Sequence, residues 1–415
     1  MKTMVFLVDK RINSKISFLK HLEEYNFKKI LVIENGYEEV GGVPKGYFDE
    51  MHVVSDITSH KELENLFFEL IKENKIDTIV ATTENIIEVA GQLRTKFGIT
   101  GMQRNQAEAV RNKWIMKEMV RQHGINSPVT KIAAASRDFK TFANEIGYPL
   151  IIKPIAGWAT IKTYKIENNQ QLELFLEEWN ENPQPMLVEQ FINGKEFHID
   201  SIVSDGKTTF SSVSEYLYNC LDVVENGKPL GSVAYPKSAE EDIIEKLKVM
   251  NDRVIRALGI TNSVCHAEMF VLPNGEIYFG EIAARIGGIA VIPPIVLNTH
   301  GVDLFAAAIG VELGSYKVDL SHQTDNFTGM ISLPSAVGKV VEITTPEELS
   351  KIEGIVQINI PVKKGQILAG GKDTMSRSGF VIVEGSSFKE VKERLLEVYN
   401  NFDIKVEGQG IKVSN

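Results

Sequence analysis

The sequence predicts an α/β unit followed by α+β segments, on three observations. Over the first hundred residues, short apolar runs of strand length alternate with amphipathic stretches of helix length. Beyond them come strand-like runs joined by turn residues, including two Asn-Gly pairs. From about Ser321 onward, short strands punctuated by Gly338, Gly354, Gly365 and Gly379 end in one more amphipathic stretch. The expected units are an N-terminal doubly wound α/β domain at 1–105, a central domain at 106–320 and a C-terminal α+β domain at 321–415.

In order, Met4 to Val8 reads as a buried strand, Ile16 to Glu24 as a helix and Lys29 to Ile33 as a second strand. A turn at Asn35 and Gly36 follows, then a helix from Lys61 to Glu73, a strand around Thr78 to Val80 and a helix from Glu84. A dinucleotide is excluded by the first turn, Asp9-Lys10-Arg11-Ile12-Asn13-Ser14, which has no glycine to approach a pyrophosphate. A long amphipathic helix is expected from Asn105 to His123, stopped by Gly124 and Pro128. The central unit then reads as a helix from Ser136 to Glu145, a strand from Leu150 to Lys153, a loop at Gly157 and a strand from Thr160 to Ile166. A helix from Gln170 to Trp179 precedes strands at Met186–Glu189, Glu196–Val203 and Lys207–Glu215. The polar stretch 219–237 reads as a surface loop. Helices at Ala239–Leu258, Val302–Val311 and Ser387–Asn400 and strands at Val264–Leu272 and Glu276–Ile282 complete the reading.

Composition narrows the function. With 415 residues, 43% hydrophobic and a net charge of −10, the chain can bury cores without staples and offers no basic face for a nucleic acid. Two cysteines, Cys220 and Cys265, at no metal-binding spacing, suggest a reducing compartment. No apolar run reaches the roughly 18 residues of a membrane span, and the N-terminus lacks a signal-peptide core, so a cytoplasmic protein is expected.

The most informative segment runs from Cys265 to Glu281. Asn274-Gly275 between two strand-like runs marks a hairpin, and a two-residue turn there sets Glu268 opposite Glu281. Two carboxylates facing each other across about 5 Å repel unless a cation lies between them, and hard oxygen ligands suit Mg²⁺. A register slip at Gly280, or two solvated glutamates, is the competing reading. Arg285 lies four residues on, followed by Gly287 and Gly288. Its guanidinium suits forked recognition of phosphate or carboxylate, or simply pairs a neighbouring acid. Lys153 ends an apolar strand, where a phosphate is a better partner than a core. Lys113 alone reads as a solvated charge, and Glu189 and Glu196 alone as exposed positions of a hairpin around Asn193-Gly194.

Together, Lys113, the run Pro149-Leu150-Ile151-Ile152-Lys153-Pro154, Glu189 with Glu196, and Glu268 with Glu281 and Arg285 resemble the ATP-grasp superfamily in order and approximate spacing. The resemblance covers about 106 to 320. The whole-chain layout is most similar to carboxylate-amine ligases of the L-amino-acid ligase, or dipeptide synthetase, group. It implies an ATP-grasp fold and an enzyme using ATP and Mg²⁺, with two ions expected and Mn²⁺ as a substitute. It further implies amino-acid substrates and no nucleic-acid or membrane partner, and it allows a homodimer. By the resemblance, Lys113, Lys153 and Gly157 would meet the phosphates, the backbone of Glu189 to Ile192, with Phe191, would read the adenine edge, and Glu196 would hold the ribose. Glu268 and Glu281 would bind metal, while Arg285 with Lys153 would act on the transferred phosphate. Two departures are Ala283, where many relatives carry Asn, and the loop Ala156-Gly157-Trp158-Ala159-Thr160 in place of a Gly/Ser-rich cover.

A carboxylate is a poor acyl donor, and phosphorylation by ATP would convert it into an acyl phosphate that an amine can attack. Such chemistry needs closure against water, for which Gly157 and 219–237 are the candidate segments. His198 and His266 are the candidates for the base. Ser214, Glu215, Gly287, Gly288 and Ile289 are expected near the substrate, with Glu215, Asp222 or Glu225 favouring a cationic amino acid. The alternatives are an ATP-grasp carboxylase or nucleotide-biosynthesis ligase, or a nucleotide-binding regulator. A P-loop at Gly365–Asp373 fails because Gly371 intervenes before Lys372 and Asp373 replaces the hydroxyl residue.

Overall fold

The computed structural model describes residues 2–10, 19–40, 42–43, 46–81, 83–157, 159–239, 241–288, 291–370 and 376–407. Strands β1 (Lys2–Val8), β2 (Phe27–Glu34), β3 (Glu50–Val54) and β4 (Ile76–Ala81) form a parallel sheet in the order β3-β2-β1-β4. Alternation along β1 serves two cores. Val5 and Leu7 face the helices His60–Glu73 and Ile87–Phe97, whereas Met4, Phe6 and Val8 share a core with Ile295, Leu304, Met330 and Ile382. The second face of this sheet is therefore covered by helices Ile292–His300 and Leu304–Glu312, far along the chain. Edge strand β3 had no sequence counterpart. Of the expected helix 16–24, only 19–24 lies within the described residues, and Lys20–Glu24 is a 3-10 turn. The glycine-free turn lies outside the described residues from Arg11 onward.

A small antiparallel sheet follows, ordered β5-β8-β6-β7, from β5 (Thr130–Ala133), β6 (Leu150–Pro154), β7 (Tyr164–Ile166) and β8 (Met186–Gln190). The expected single helix 105–123 is two, Arg104–Arg111 and Lys113–Gln122. Asn112 breaks it in an extended conformation, and its side chain accepts from the amides of Trp114 and Ile115, starting a second helix as an N-cap. The strand expected from Thr160 is confined to Tyr164–Ile166. Ala159, Thr160 and Lys162 stand at φ of 55°, 58° and 54°, where no ladder can continue.

The main sheet uses β9 (Lys195–Ser204), β10 (Lys207–Tyr216), β11 (Gly231–Ala234), β12 (Ser263–Val271), β13 (Ile277–Ala283) and β14 (Phe327–Leu333). Beyond them lie β15 (Gly338–Ile343), β16 (Ile355–Asn359), β17 (Ile367–Leu368), β18 (Gly379–Gly385) and β19 (Ile404–Val406). Eight strands run β13-β12-β9-β10-β11-β14-β18-β16, so pairing of β11 with β14 carries one sheet across residue 320. The expected loop 219–237 holds the helix Cys220–Asn226, ended by left-handed Gly227, and strand β11. The P-loop-like stretch holds a turn at Gly365, whose amide donates to the Val340 carbonyl, and strand β17, with 371–373 outside the described residues. Among the described residues no single helix is long and apolar enough to cross a membrane. The bent pair 292–300 and 304–312 is apolar because both helices are buried against the first sheet.

Candidate active site

The hairpin β12–β13 reaches the expected pairing by an unexpected route. Its loop has three residues: the Leu272 amide donates to the Glu276 carbonyl, the Gly275 amide donates to that of Leu272, and Gly275 is left-handed at φ 84°. That offset alone would put Gly280 opposite Glu268. A bulge between Glu268 and Met269 restores the register, and Glu268 faces Glu281. The slip at Gly280 is thus what aligns the two acids. Only glycine fits there, because a Cβ would stand 2.9 Å from the Glu268 carbonyl oxygen and 3.1 Å from the Phe270 ring.

The register continues from Glu281 through Glu268 and His198 to Ser214, which places these four side chains on one face. Of these, Glu268 and Glu281 border a cleft between the small sheet and the main sheet, lined also by Lys113, Lys153, Gly157, Phe191, Ile192, Glu196 and Leu221. Lys113 Nζ lies 2.7 Å from Glu281 Oε2 and Lys153 Nζ lies 3.9 Å from the same atom. Burial opposes ionisation of Glu281, but these two ammonium groups hold its carboxyl well below the usual range. Lys113 Nζ also donates to the Gly157 carbonyl at 3.2 Å, tying the loop to Glu281.

The Glu189 side chain has a partner set of its own, apart from the backbone role expected of its segment. Its carboxylate is clamped between Lys153 Nζ at 2.6 Å and buried Lys117, so its side chain anchors two cations. Two lysines share one carboxylate, and burial pushes Lys117 down to about 8 while the surrounding acids push Lys153 up to about 12 despite its burial. Phe191 and Ile192 do line the cleft, with Lys165 Nζ 4.7 Å from the centre of the Phe191 ring.

Negative charge gathers on the other wall. Ligand atoms of Glu196, Cys220 and Glu268 lie within 4.8 Å of one another, and burial with the neighbouring Glu268 pushes Glu196 up to about 8. Glu196 Oε2 accepts from the Cys220 amide at 2.7 Å, and Glu268 Oε1 accepts from the Tyr216 hydroxyl at 3.3 Å. The opposed carboxylates of Glu268 and Glu281, with Glu196 alongside, are hard oxygen donors of the kind that fits a divalent cation. Beneath them Asp200 bridges His198 at 2.7 Å and His266 at 2.8 Å, while His266 Nε2 reaches within 3.7 Å of Glu268. Burial opposes the charge on His266, yet Asp200 and Glu268 together push it up to about 10.

Arg285 stands beyond the cleft lining. Its Nε donates to Glu84 at 2.6 Å and its Nη1 to the Ile286 carbonyl at 2.8 Å. Gly287 is required by His266, whose Nδ1 would be 2.3 Å from a Cβ there. Ser214 is fully buried with its hydroxyl unpartnered. Glu215 is a correction: it points to the opposite face, where Lys195 at 3.0 Å and the Tyr235 hydroxyl at 2.9 Å occupy its oxygens. Asp222 bonds Asn226 within its own helix, and Glu225 accepts from the Lys165 amide. Ile289 and Trp158 lie outside the described residues.

Sequence reasoning missed Lys117, Tyr216, Cys220, Asp200, Glu84 and Arg111. Lys117 was within reach, since it follows Lys113 by four residues and shares its helix face. Cys220 was hidden by reading 219–237 as coil.

Residues 146–292 match the model of the ATP-grasp domain, and 330–407 match L-amino acid ligase C-terminal domain 2. The chain is 29% identical over 328 residues to an L-arginine-specific L-amino acid ligase of Bacillus subtilis, spanning 77% of this chain and 78% of that one. It is 25% identical over 367 residues to dapdiamide A synthase of Enterobacter agglomerans, spanning 84% and 83%. Its fold superposes on an L-amino acid ligase from Bacillus licheniformis with a TM-score of 0.79 at 17% identity, covering 98% of this chain and 99% of that one. The chain thus carries an ATP-grasp domain and an L-amino acid ligase C-terminal domain, and over most of its length it is similar to L-amino acid ligases.

Proposed function

We propose that this ATP-dependent, ADP-forming C–N ligase joins two L-amino acids through an acyl phosphate. A carboxylate oxygen of the first amino acid would attack the γ-phosphorus, and the bond to the β-phosphate oxygen would break. The second amino acid's nitrogen would then form the C–N bond as phosphate leaves with the acyl C–O electron pair, and the nitrogen would lose a proton. The observation that carries this reading is the Glu268–Glu281 pair, aligned across β12 and β13 in a cleft that also holds Lys113 and Lys153.

Lys113, Lys153 and the Gly157 loop would bind and orient the phosphates, Phe191 and Ile192 would enclose adenine, and Glu196 would hold the ribose. Glu189 would keep Lys153 aimed into the cleft. Arg285 would neutralise the transferred phosphate. Glu268 and Glu281 would hold Mg²⁺, two ions or Mn²⁺ in its place, and the metal would neutralise phosphate oxygens and orient the triphosphate. With Ala283 in place of Asn, the second ion would need water or another ligand. Ser214, Gly287, Gly288 and Ile289 would border the amino acids, and a cationic one is the first to test, given the B. subtilis relative's name. The division at 105 and 320, a cytoplasmic location suggested by free Cys220 and Cys265, and a homodimer belong to the same proposal.

The test is a phosphate-release screen over pairs of L-amino acids with Mg·ATP, followed by mass spectrometry of the product. A dipeptide with one phosphate per bond is the expected result. ADP release with bicarbonate or a purine intermediate, and none with amino-acid pairs, would overturn the reading.

A further inference from the structure

The corner beyond the cleft carries a second charge network that the nucleotide does not explain. Glu84, at the start of the turn after β4, belongs to the N-terminal unit. Its Oε2 accepts from Arg285 Nε at 2.6 Å, and its Oε1 accepts from Arg111 Nη1 at 2.7 Å. The Glu84 side chain is 12% exposed, Arg111's 9% and Arg285's 22%, so the contacts are shielded rather than superficial. One carboxylate thus fixes two guanidinium groups from two separate parts of the chain. The Arg285 segment is clamped at its other end too, where Gly287 lies flat against the imidazole of His266, which in turn stands beside Glu268.

These contacts leave a specific remainder. Of the three guanidinium nitrogens of Arg285, Nε is held by Glu84 and Nη1 by the Ile286 carbonyl, and among the described residues Nη2 has no protein partner. A guanidinium pinned by two of its nitrogens offers the third at a fixed position and loses little further freedom when an oxyanion arrives. Resting on the reading of Arg285 given above, we propose that Glu84 is a positioning residue, supplied by the N-terminal unit, that fixes Arg285 so that Nη2 faces the transferred phosphate.

The proposal separates chemistry from adenine and ribose binding: among the described residues Glu84 hydrogen-bonds Arg111 and Arg285 and meets Lys113, at the phosphate end, through charge alone. In Glu84→Ala, kcat for dipeptide formation is expected to fall about 100-fold, the cost of a reacting group displaced by about an ångström. KM for ATP should stay within twofold. Glu84→Gln retains a carbonyl able to accept the Arg285 Nε–H, and should recover about tenfold of that loss. A merely structural role would instead lower the melting temperature and leave kcat of the folded fraction unchanged. The companion variant Arg285→Ala distinguishes the two layers. If it keeps wild-type turnover, the role of Arg285 falls. If it is inactive while folded Glu84→Ala keeps kcat within threefold of wild type, or if Glu84→Ala raises KM for ATP in proportion to its loss, the positioning proposal falls.

Discussion

The two ends of the site are built by different means. At the nucleotide end, strand register and one helix face place Lys113, Lys153, Glu196, Glu268 and Glu281 along a single cleft. At the end proposed to activate the acid, Arg285 meets Glu84 across 201 residues of chain, and no ladder or helix period relates them. The first end inherits its geometry from backbone hydrogen bonds; the second depends on side chains that meet where the N-terminal unit docks, its helix Ile87–Phe97 against Arg104–Arg111 and its sheet against helices 292–300 and 304–312. On the proposed roles, a site assembled this way would couple acid activation to docking of the N-terminal unit, while nucleotide contacts would stay within the two central sheets and the helix Lys113–Gln122.

The largest expected effect tests the nucleotide end. Glu281→Ala removes one of the paired acids and leaves Lys113 and Lys153 without their shared counter-charge. Turnover should fall about 10³-fold, as for loss of a preorganised charge-stabilising group. Circular dichroism should retain the native spectrum, and a variant with wild-type turnover would remove the metal assignment.

A smaller effect should come from Gly280→Ala, which changes no polar group. Its Cβ would press on the Glu268 carbonyl and the Phe270 ring, so the bulge must flatten or the strands part. A stability loss of about 1–3 kcal/mol is expected from this overpacking. Turnover should drop about 10–100-fold as the acids move out of line. Unchanged turnover would mean that the alignment across the hairpin does not matter, and the nucleotide end would lose its defining feature.

The same contrast explains what could be read from the sequence. Apolar periodicity revealed β1, β2, β6, β9, β12 and β13, and with them most of the cleft. Glu268 facing Glu281 was legible because a turn signal and a period of two suffice for register, although two irregularities cancelled to produce it: an extra loop residue and the bulge at Gly280. The break at Asn112 was obscured by continuous amphipathic spacing, since an N-cap in mid-pattern looks like a polar helix position. Glu215 was misplaced by one residue of strand alternation, which is enough to reverse a face. Glu84 and Arg111 left no local trace at all, because their partners are set by docking of the two units.

The smallest effect concerns charge balance beneath the cleft, and it sharpens the account of the nucleotide end. Lys117 is fully buried, and burial brings its folded-state value down to about 8 from 10.5. Between those two values the unfolded chain binds the proton and the folded chain does not, so this lysine's contribution to stability rises with pH across that window. Lys153, pushed up to about 12, loses its contribution only above 10.5 and does not mask the trend. The unfolding free energy of the wild type minus that of Lys117→Met should therefore increase by roughly 1–3 kcal/mol from pH 8 to 10.5. Urea titrations at half-unit steps would measure it. A difference that stays flat or falls would mean that Lys117 is fully paired with Glu189, and that the two lysines do not compete for one carboxylate.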